Sequence, residues 1–188
     1  MTTSVEAYLA NSKDYWGTWK FHSSALAENV KKVHFCAHPN RENQGDDDQP
    51  PTNHWSLFLE IDSTNSVGID MVPGDPFTNS PGVTILEVTK DFSATGDYVY
   101  DAVYEVPPET TVASILQLII DHRRDRYRFD PIGEGCRFWH STVAMDMAAA
   151  GLLSYDAANQ TCSAIGQYWF FPPNSGSELR AMKKGIFL

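Results

Sequence analysis

Between His54 and Met71 the chain writes out a β-hairpin, and that hairpin limits what the rest can become. Trp55, Leu57, Leu59 and Ile61 alternate with His54, Ser56, Phe58 and Glu60, so an extended strand here has one apolar face and one mixed face. Asp62-Ser63-Thr64-Asn65-Ser66 supplies turn chemistry, Val67-Gly68-Ile69-Asp70-Met71 resumes the strand, and Pro73-Gly74 stops it. Further strands are expected at Lys32–His38, Val83–Val88 and Tyr98–Tyr104. Helical periodicity comes only afterwards. Val112, Ile115, Leu116, Ile119 and Ile120 share one face of a first helix running to about Arg123. A second runs from Cys136 to Ala150, with Trp139, Val143, Met147 and Ala150 as its buried stripe and Gly151 as its stop. Strands in runs with helices segregated give an α+β fold, an antiparallel sheet packed against helices. Residues 5–29 read as partly helical, Ile165–Phe171 as a late strand, and the tail as helical around Ser177–Lys184.

With 188 residues, 42% of them apolar, one domain spanning 1–188 with a full core is expected, broken by a polar, exposed loop at about 40–53. The net charge of −10 argues against nucleic acid or an anionic membrane as the partner, since both demand clustered positive charge. The one basic run, His122-Arg123-Arg124-Asp125-Arg126-Tyr127-Arg128, reads mainly as a solvated helix end with local ion pairs. No stretch approaches the ~18 apolar residues of a membrane span, and no signal peptide is visible. Three widely spaced cysteines (Cys36, Cys136 and Cys162) do not form a disulfide framework, so a reducing, cytoplasmic setting is expected.

Chemistry concentrates at two places. His54 opens a strand, and Cys136 follows Gly133-Glu134-Gly135 where a helix begins. Unpaired N–H groups at a helix N-terminus favour a thiolate, and can bring a thiol from ~8.5 to as low as ~3.5–7.5 beside an imidazolium. Glycines leave room for a substrate to approach the sulfur, and the Cys136 N–H is an oxyanion donor in waiting. The expected site is therefore a cysteine nucleophile with a histidine base, no metal and no cofactor, acting on a small-molecule substrate. Trp55, Ser56, Phe58, Arg137 and Trp139, the neighbours of the pair, are the candidate substrate contacts.

His34-Phe35-Cys36-Ala37-His38 is a rival constellation. Its three metal-capable side chains share a strand face, but the outer two stand about 13 Å apart, too far for one zinc. Two of them completed by His22 or His54 is the remaining metal arrangement. Trp16, Trp19, Trp55, Trp139, Trp169, Phe170 and Phe171 support another reading, an aromatic pocket in a small-molecule-binding or cyclising protein of secondary metabolism. An inactive interaction module is the third.

His54-Trp55-Ser56-Leu57-Phe58-Leu59, followed much later by Tyr127-Arg128-Phe129 and Gly135-Cys136-Arg137-Phe138, resembles the circularly permuted branch of the papain-like superfamily, whose familiar members are lecithin–retinol acyltransferase-like proteins. In that branch the base precedes the nucleophile, as His54 precedes Cys136. The resemblance implies a permuted papain-like fold, thiol hydrolase or acyltransferase activity, and a polar residue on the next strand that orients the base. That position is Asp70, with Asn53 and a backbone carbonyl as rivals. Gly135 replaces the polar residue the family usually has before its nucleophile. A hairpin centred on Thr64 would pair Asp70 with Phe58, about 13 Å from His54 along the strand, so direct contact requires a turn centred near Asp62, or a bulge. The whole chain also resembles a fungal family of uncharacterised domains, a likeness that carries no activity.

Overall fold

The structure, a computed structural model, describes residues 4–40, 50–75, 80–90 and 98–188. Most of the loop expected at about 40–53 thus lies outside the described residues, but its last two residues do not fit an exposed loop. Thr52 and Asn53 are buried, because Asn53 opens a strand and exchanges hydrogen bonds with the Trp169 backbone.

The chain begins with α1 (Val5–Asn11), capped by the Ser4 hydroxyl, which accepts from the Ala7 N–H. It continues through β1 (Trp16–Lys20), a short 3-10 turn at Ser23–Ala27, β2 (Lys32–Pro39), β3 (Asn53–Glu60), β4 (Asn65–Val72), β5 (Val83–Lys90) and β6 (Tyr100–Glu105). Then come α2 (Val112–Asp121), β7 (Tyr127–Arg128), α3 (Cys136–Ala149), α4 (Tyr155–Ile165), β8 (Gln167–Trp169), β9 (Ser177–Leu179) and β10 (Ile186–Phe187). Six strands form the main sheet in the order β1-β5-β4-β3-β2-β6. All its pairs are antiparallel except β1 with β5. The α+β class is what the sequence led to.

Trp55, Leu57 and Leu59 from β3 lie fully buried beside Phe35, Ile69, Ile115, Trp139 and Met147 in the core cluster, whereas His54, Phe58 and Glu60 stay partly exposed. The strand's two-residue alternation thus decides which residues make the core. Helix α2 is held by a capping box, in which Thr111 and Ser114 each satisfy the other's backbone N–H. Gly151, at φ +74°, stops α3.

Four expectations are corrected. Residues 16–20, read as part of a helical stretch, form the parallel edge strand β1, because Trp16 buries its ring and its indole N–H donates to Asp125. Ala150 is exposed, one residue past the end of α3, whose buried face stops at Ala148. Residues 155–165 form a helix, α4, capped by Ser154, so the strand expected from Ile165 shrinks to Gln167–Trp169. The tail is extended at Ser177–Leu179, where it pairs with β8.

The basic run is exposed at His122 and Arg123, and its later arginines make local ion pairs, as expected. Arg124 makes a bidentate pair with Asp146 at 2.6 and 3.1 Å, and Arg126 lies 3.8 Å over the Tyr15 ring. Asp125, with no exposed surface, accepts 2.9 Å hydrogen bonds from both Trp16 Nε1 and Tyr8 Oη. These contacts tie α1 and β1 to the segment between α2 and α3.

Candidate active site

The site forms where two elements end. The β3–β4 ladder runs from Glu60↔Ser66 to Leu57↔Ile69 and stops there. Beyond it lies a small pocket of about 60 Å³. His54, Met71, Phe129, Gly135, Cys136 and Arg137 are among the residues that line it, with Asn40 and Thr52 at the edge of the long loop.

Cys136 is delivered by a strained turn. Gly135, the residue before the helix, has φ +155°, and a Cβ there would sit 2.8 Å from the Tyr127 hydroxyl and 3.1 Å from the Phe129 ring. Only glycine fits this backbone in this space. Tyr127 secures the turn from below, donating to the Gly135 carbonyl at 2.9 Å while accepting from the Gly185 N–H at 2.8 Å. Gly135 offers no side-chain cap, so the first-turn N–H groups of α3 face the pocket end without one. The Cys136 thiol itself is partly exposed.

His54 stands between two partners. Its Nε2 lies 2.8 Å from Asp70 Oδ1, and the Cys136 side chain, which lines the same pocket, also favours its cation. With Nε2 engaged, Nδ1 is the nitrogen left for sulfur. Burial alone would lower the imidazole's affinity for a proton, but the bonds to Asp70 and Cys136 outweigh it and push the pKa up to about 11. The charged form of His54 is the one this arrangement holds.

Asp70 reaches His54 because the hairpin turns one residue earlier than its composition suggests. Leu59↔Val67 and Glu60↔Ser66 centre it on Ser63, not Thr64. The cause is Asp62, whose Oδ1 accepts from the Thr64 N–H at 2.7 Å, the Thr64 hydroxyl at 2.9 Å and the Asn65 N–H at 2.8 Å. In that register Asp70 stands opposite Ser56, and His54 is its diagonal neighbour on the same face. Asn53 is no rival, since its amide is spent on Trp169.

The expected substrate contacts divide. Arg137 lines the pocket, but its guanidinium is buried and donates to the Arg180 and Ala181 carbonyls, anchoring the tail. Trp55 and Trp139 have no exposed surface and cannot touch a ligand. Ser56 is buried and does not line the pocket, and Phe58 packs edge-on to His38 at 6.2 Å rather than into it. The aromatic side chains do not gather around one cavity either. Trp16 is core, Trp19 and Phe171 are exposed, and Trp169 stacks on Tyr100 at 3.8 Å.

Along β2, His34 spends both ring nitrogens on carboxylates, Asp101 at 3.1 Å and Glu60 at 2.9 Å, and Cys36 donates to Asp101. Among the described residues, no group of three or more His, Cys, Asp or Glu side chains is arranged to hold a metal ion.

One residue of the site was missed. His140, a turn after Cys136, is fully buried, and its Nδ1 lies 2.8 Å from the Cys136 carbonyl. Its i+4 spacing from the cysteine was the available signal, since such residues share a helix face.

A family model described as "Domain of unknown function (DUF7770)" matches residues 33–188, most of the chain. The chain belongs to the DUF7770 family. Both halves of the site, His54 with Asp70 and the Cys136 helix, fall inside the DUF7770 region, while α1 and β1 precede it. No curated protein and no solved structure matches the chain. Among the described residues, no helix is long and apolar enough to cross a membrane.

Proposed function

We propose that this DUF7770 protein is a cysteine-dependent hydrolase or acyltransferase acting on a small acyl, amide or thioester substrate, on a permuted papain-like fold. The observation that carries the reading is the convergence of Cys136 from α3 and His54 from β3 on one pocket, with Asp70 of β4 2.8 Å from the His54 ring. A cysteine nucleophile and a histidine base, with a carboxylate to orient the base, are the groups that covalent thiol catalysis uses.

In this mechanism Cys136 and His54 rest as a thiolate–imidazolium pair, with Asp70 opposing the His54 charge. The sulfur lone pair attacks the substrate carbonyl carbon, and the carbonyl π electrons move to oxygen. The first-turn N–H groups of α3 receive that oxyanion. As it collapses, the leaving group departs with the proton from His54, leaving a thioester on Cys136. Water or an amine then attacks the thioester, gives its proton to neutral His54, and regenerates the pair. Asp70 takes no proton; it fixes the ring and stabilises its cation.

The test is to trap the acyl-enzyme. Incubation with short activated esters and thioesters should add one acyl mass to the peptide carrying Cys136, and Cys136→Ser and His54→Ala should abolish it. Absence of any adduct across a panel of acyl donors would count against the reading.

A further inference from the structure

His140 has no place in the mechanism above, yet its environment is unusual for a helix-interior histidine. It has no exposed surface, and the Trp139 ring packs edge-on at 4.8 Å. Its Nδ1 lies 2.8 Å from the carbonyl of Cys136. A carbonyl oxygen only accepts, so the ring must donate, and the proton of the neutral imidazole belongs on Nδ1. Nε2 is then a bare lone pair. It is buried, with no hydrogen-bond partner among the described residues.

The ring is held neutral. Burial disfavours its cation most strongly; Asp70 on β4 pulls the other way, while His54 on β3 and His38 on β2 add to the burial, leaving a pKa of about 4. The ring sits on a helix that packs against both β3 and β4, the strands that carry His54 and Asp70.

A neutral imidazole with its proton fixed on Nδ1 is a sizeable dipole, and its negative end is the Nε2 lone pair. The donor edge is tied back to the helix at Cys136, so the lone pair, on the far side of the ring, is directed away from that carbonyl. A fixed dipole in a dry site acts on charge without reorganising. We propose that His140 is a positioning residue for the Cys136–His54 pair: it pins the backbone of the nucleophile and directs the negative end of its imidazole toward His54, favouring the imidazolium. The inference rests on the thiol-enzyme reading for its functional meaning. The dipole's effect on His54 stands apart from that reading.

The experiment follows both histidines by long-range 15N–1H NMR against pH, and the alkylation rate of Cys136 in parallel. In the wild type, His140 should remain a single Nδ1–H tautomer from pH 6 to 9. In His140→Phe, which keeps a planar ring without the dipole, the His54 midpoint should fall by about one pH unit and Cys136 alkylation at pH 6 should slow about tenfold. His140→Gln, which retains both a donor and an acceptor, should recover part of both losses. It also serves as the test variant if His140→Phe does not fold. A merely structural histidine would lower stability in these variants without moving either readout. The inference is overturned if a folded variant leaves the His54 midpoint unchanged, or if His140 carries its proton on Nε2. Failure of the enzyme reading looks different: wild-type Cys136 would alkylate at the same rate as in His54→Ala, while the His54 midpoint would still report on His140.

Discussion

Asp70 Oδ1 lies 2.8 Å from His54 Nε2, a contact made diagonally across two strands whose ladder ends just short of it. The pair is only partly exposed, at 32% and 30%, so solvent screens it less than a surface ion pair. Asp70→Asn keeps the shape and removes the charge. The expected result is a lower His54 pKa and Cys136 alkylation slowed about ten- to a hundredfold at pH 6, with the fold retained by circular dichroism.

Gly135 and Gly133 separate space from strain. Both have positive φ, +155° and +81°, but a Cβ at Gly133 meets nothing within 4 Å while one at Gly135 strikes Tyr127 and Phe129. Gly133→Ala should cost about 1 kcal/mol in urea unfolding, the backbone strain alone. Gly135→Ala should cost about 3 kcal/mol or more, strain plus overpacking, and should also slow Cys136.

The pH dependence of stability follows from three histidines. The pKa of His54 is pushed up to about 11, and that of His34 is also raised, because hydrogen bonds to Asp101 and Glu60 outweigh its burial. Groups raised above their unfolded value stabilise fully below about pH 6.5, and that contribution is lost as pH climbs toward their folded values. His140, lowered to about 4, acts oppositely: the unfolded chain binds its proton first, so stability falls from about pH 6.5 toward 4. The urea midpoint should therefore peak near pH 6.5. His140→Phe should flatten the acid limb, and His34→Gln the alkaline one.

The α1–β1 segment precedes the DUF7770 match but is built into the fold. Trp16 is buried against the Asp125 carboxylate, and β1 completes the sheet beside β5. Removing residues 1–31 would strip two donors from a fully buried carboxylate and leave β5 an open edge. The truncated chain should aggregate or melt at least 10 °C lower. Trp16→Phe, which removes one donor, should cost about 1–3 kcal/mol by thermal or urea unfolding.

What the sequence disclosed tracks how strong each local signal is. The β3–β4 hairpin and the start of α3 were legible because alternation and a glycine-flanked helix entry are local patterns, and with them came Cys136 and His54, whereas Asp70 came from the family resemblance. The hairpin register was legible only to one residue, since the Asp62 side chain decides which residue centres the turn. β1 was not legible: its partner strand is far along the chain, and Trp16 is buried through a contact with Asp125 that no local pattern encodes. Helix α4 was hidden by its composition, Tyr-Asp-Ala-Ala-Asn-Gln-Thr-Cys-Ser-Ala-Ile, which has too few apolar residues to show a stripe. Trp55 and Trp139 were drawn into the site by proximity in sequence, but both are fully buried, and it is their neighbour in sequence, His54, that lines the pocket.

The central claim is that Cys136 and His54 act as one ionised pair. The direct measurement is the alkylation rate of all three cysteines against pH, read peptide by peptide by mass spectrometry, in wild type and His54→Ala. Cys36 and Cys162 are internal controls, because burial raises the pKa of both thiols. The account requires Cys136 to react selectively below pH 7 and to lose that reactivity, by about tenfold or more, in His54→Ala. A Cys136 that reacts only as the pH rises through the ordinary thiol range, at the same rate with and without His54, would contradict it.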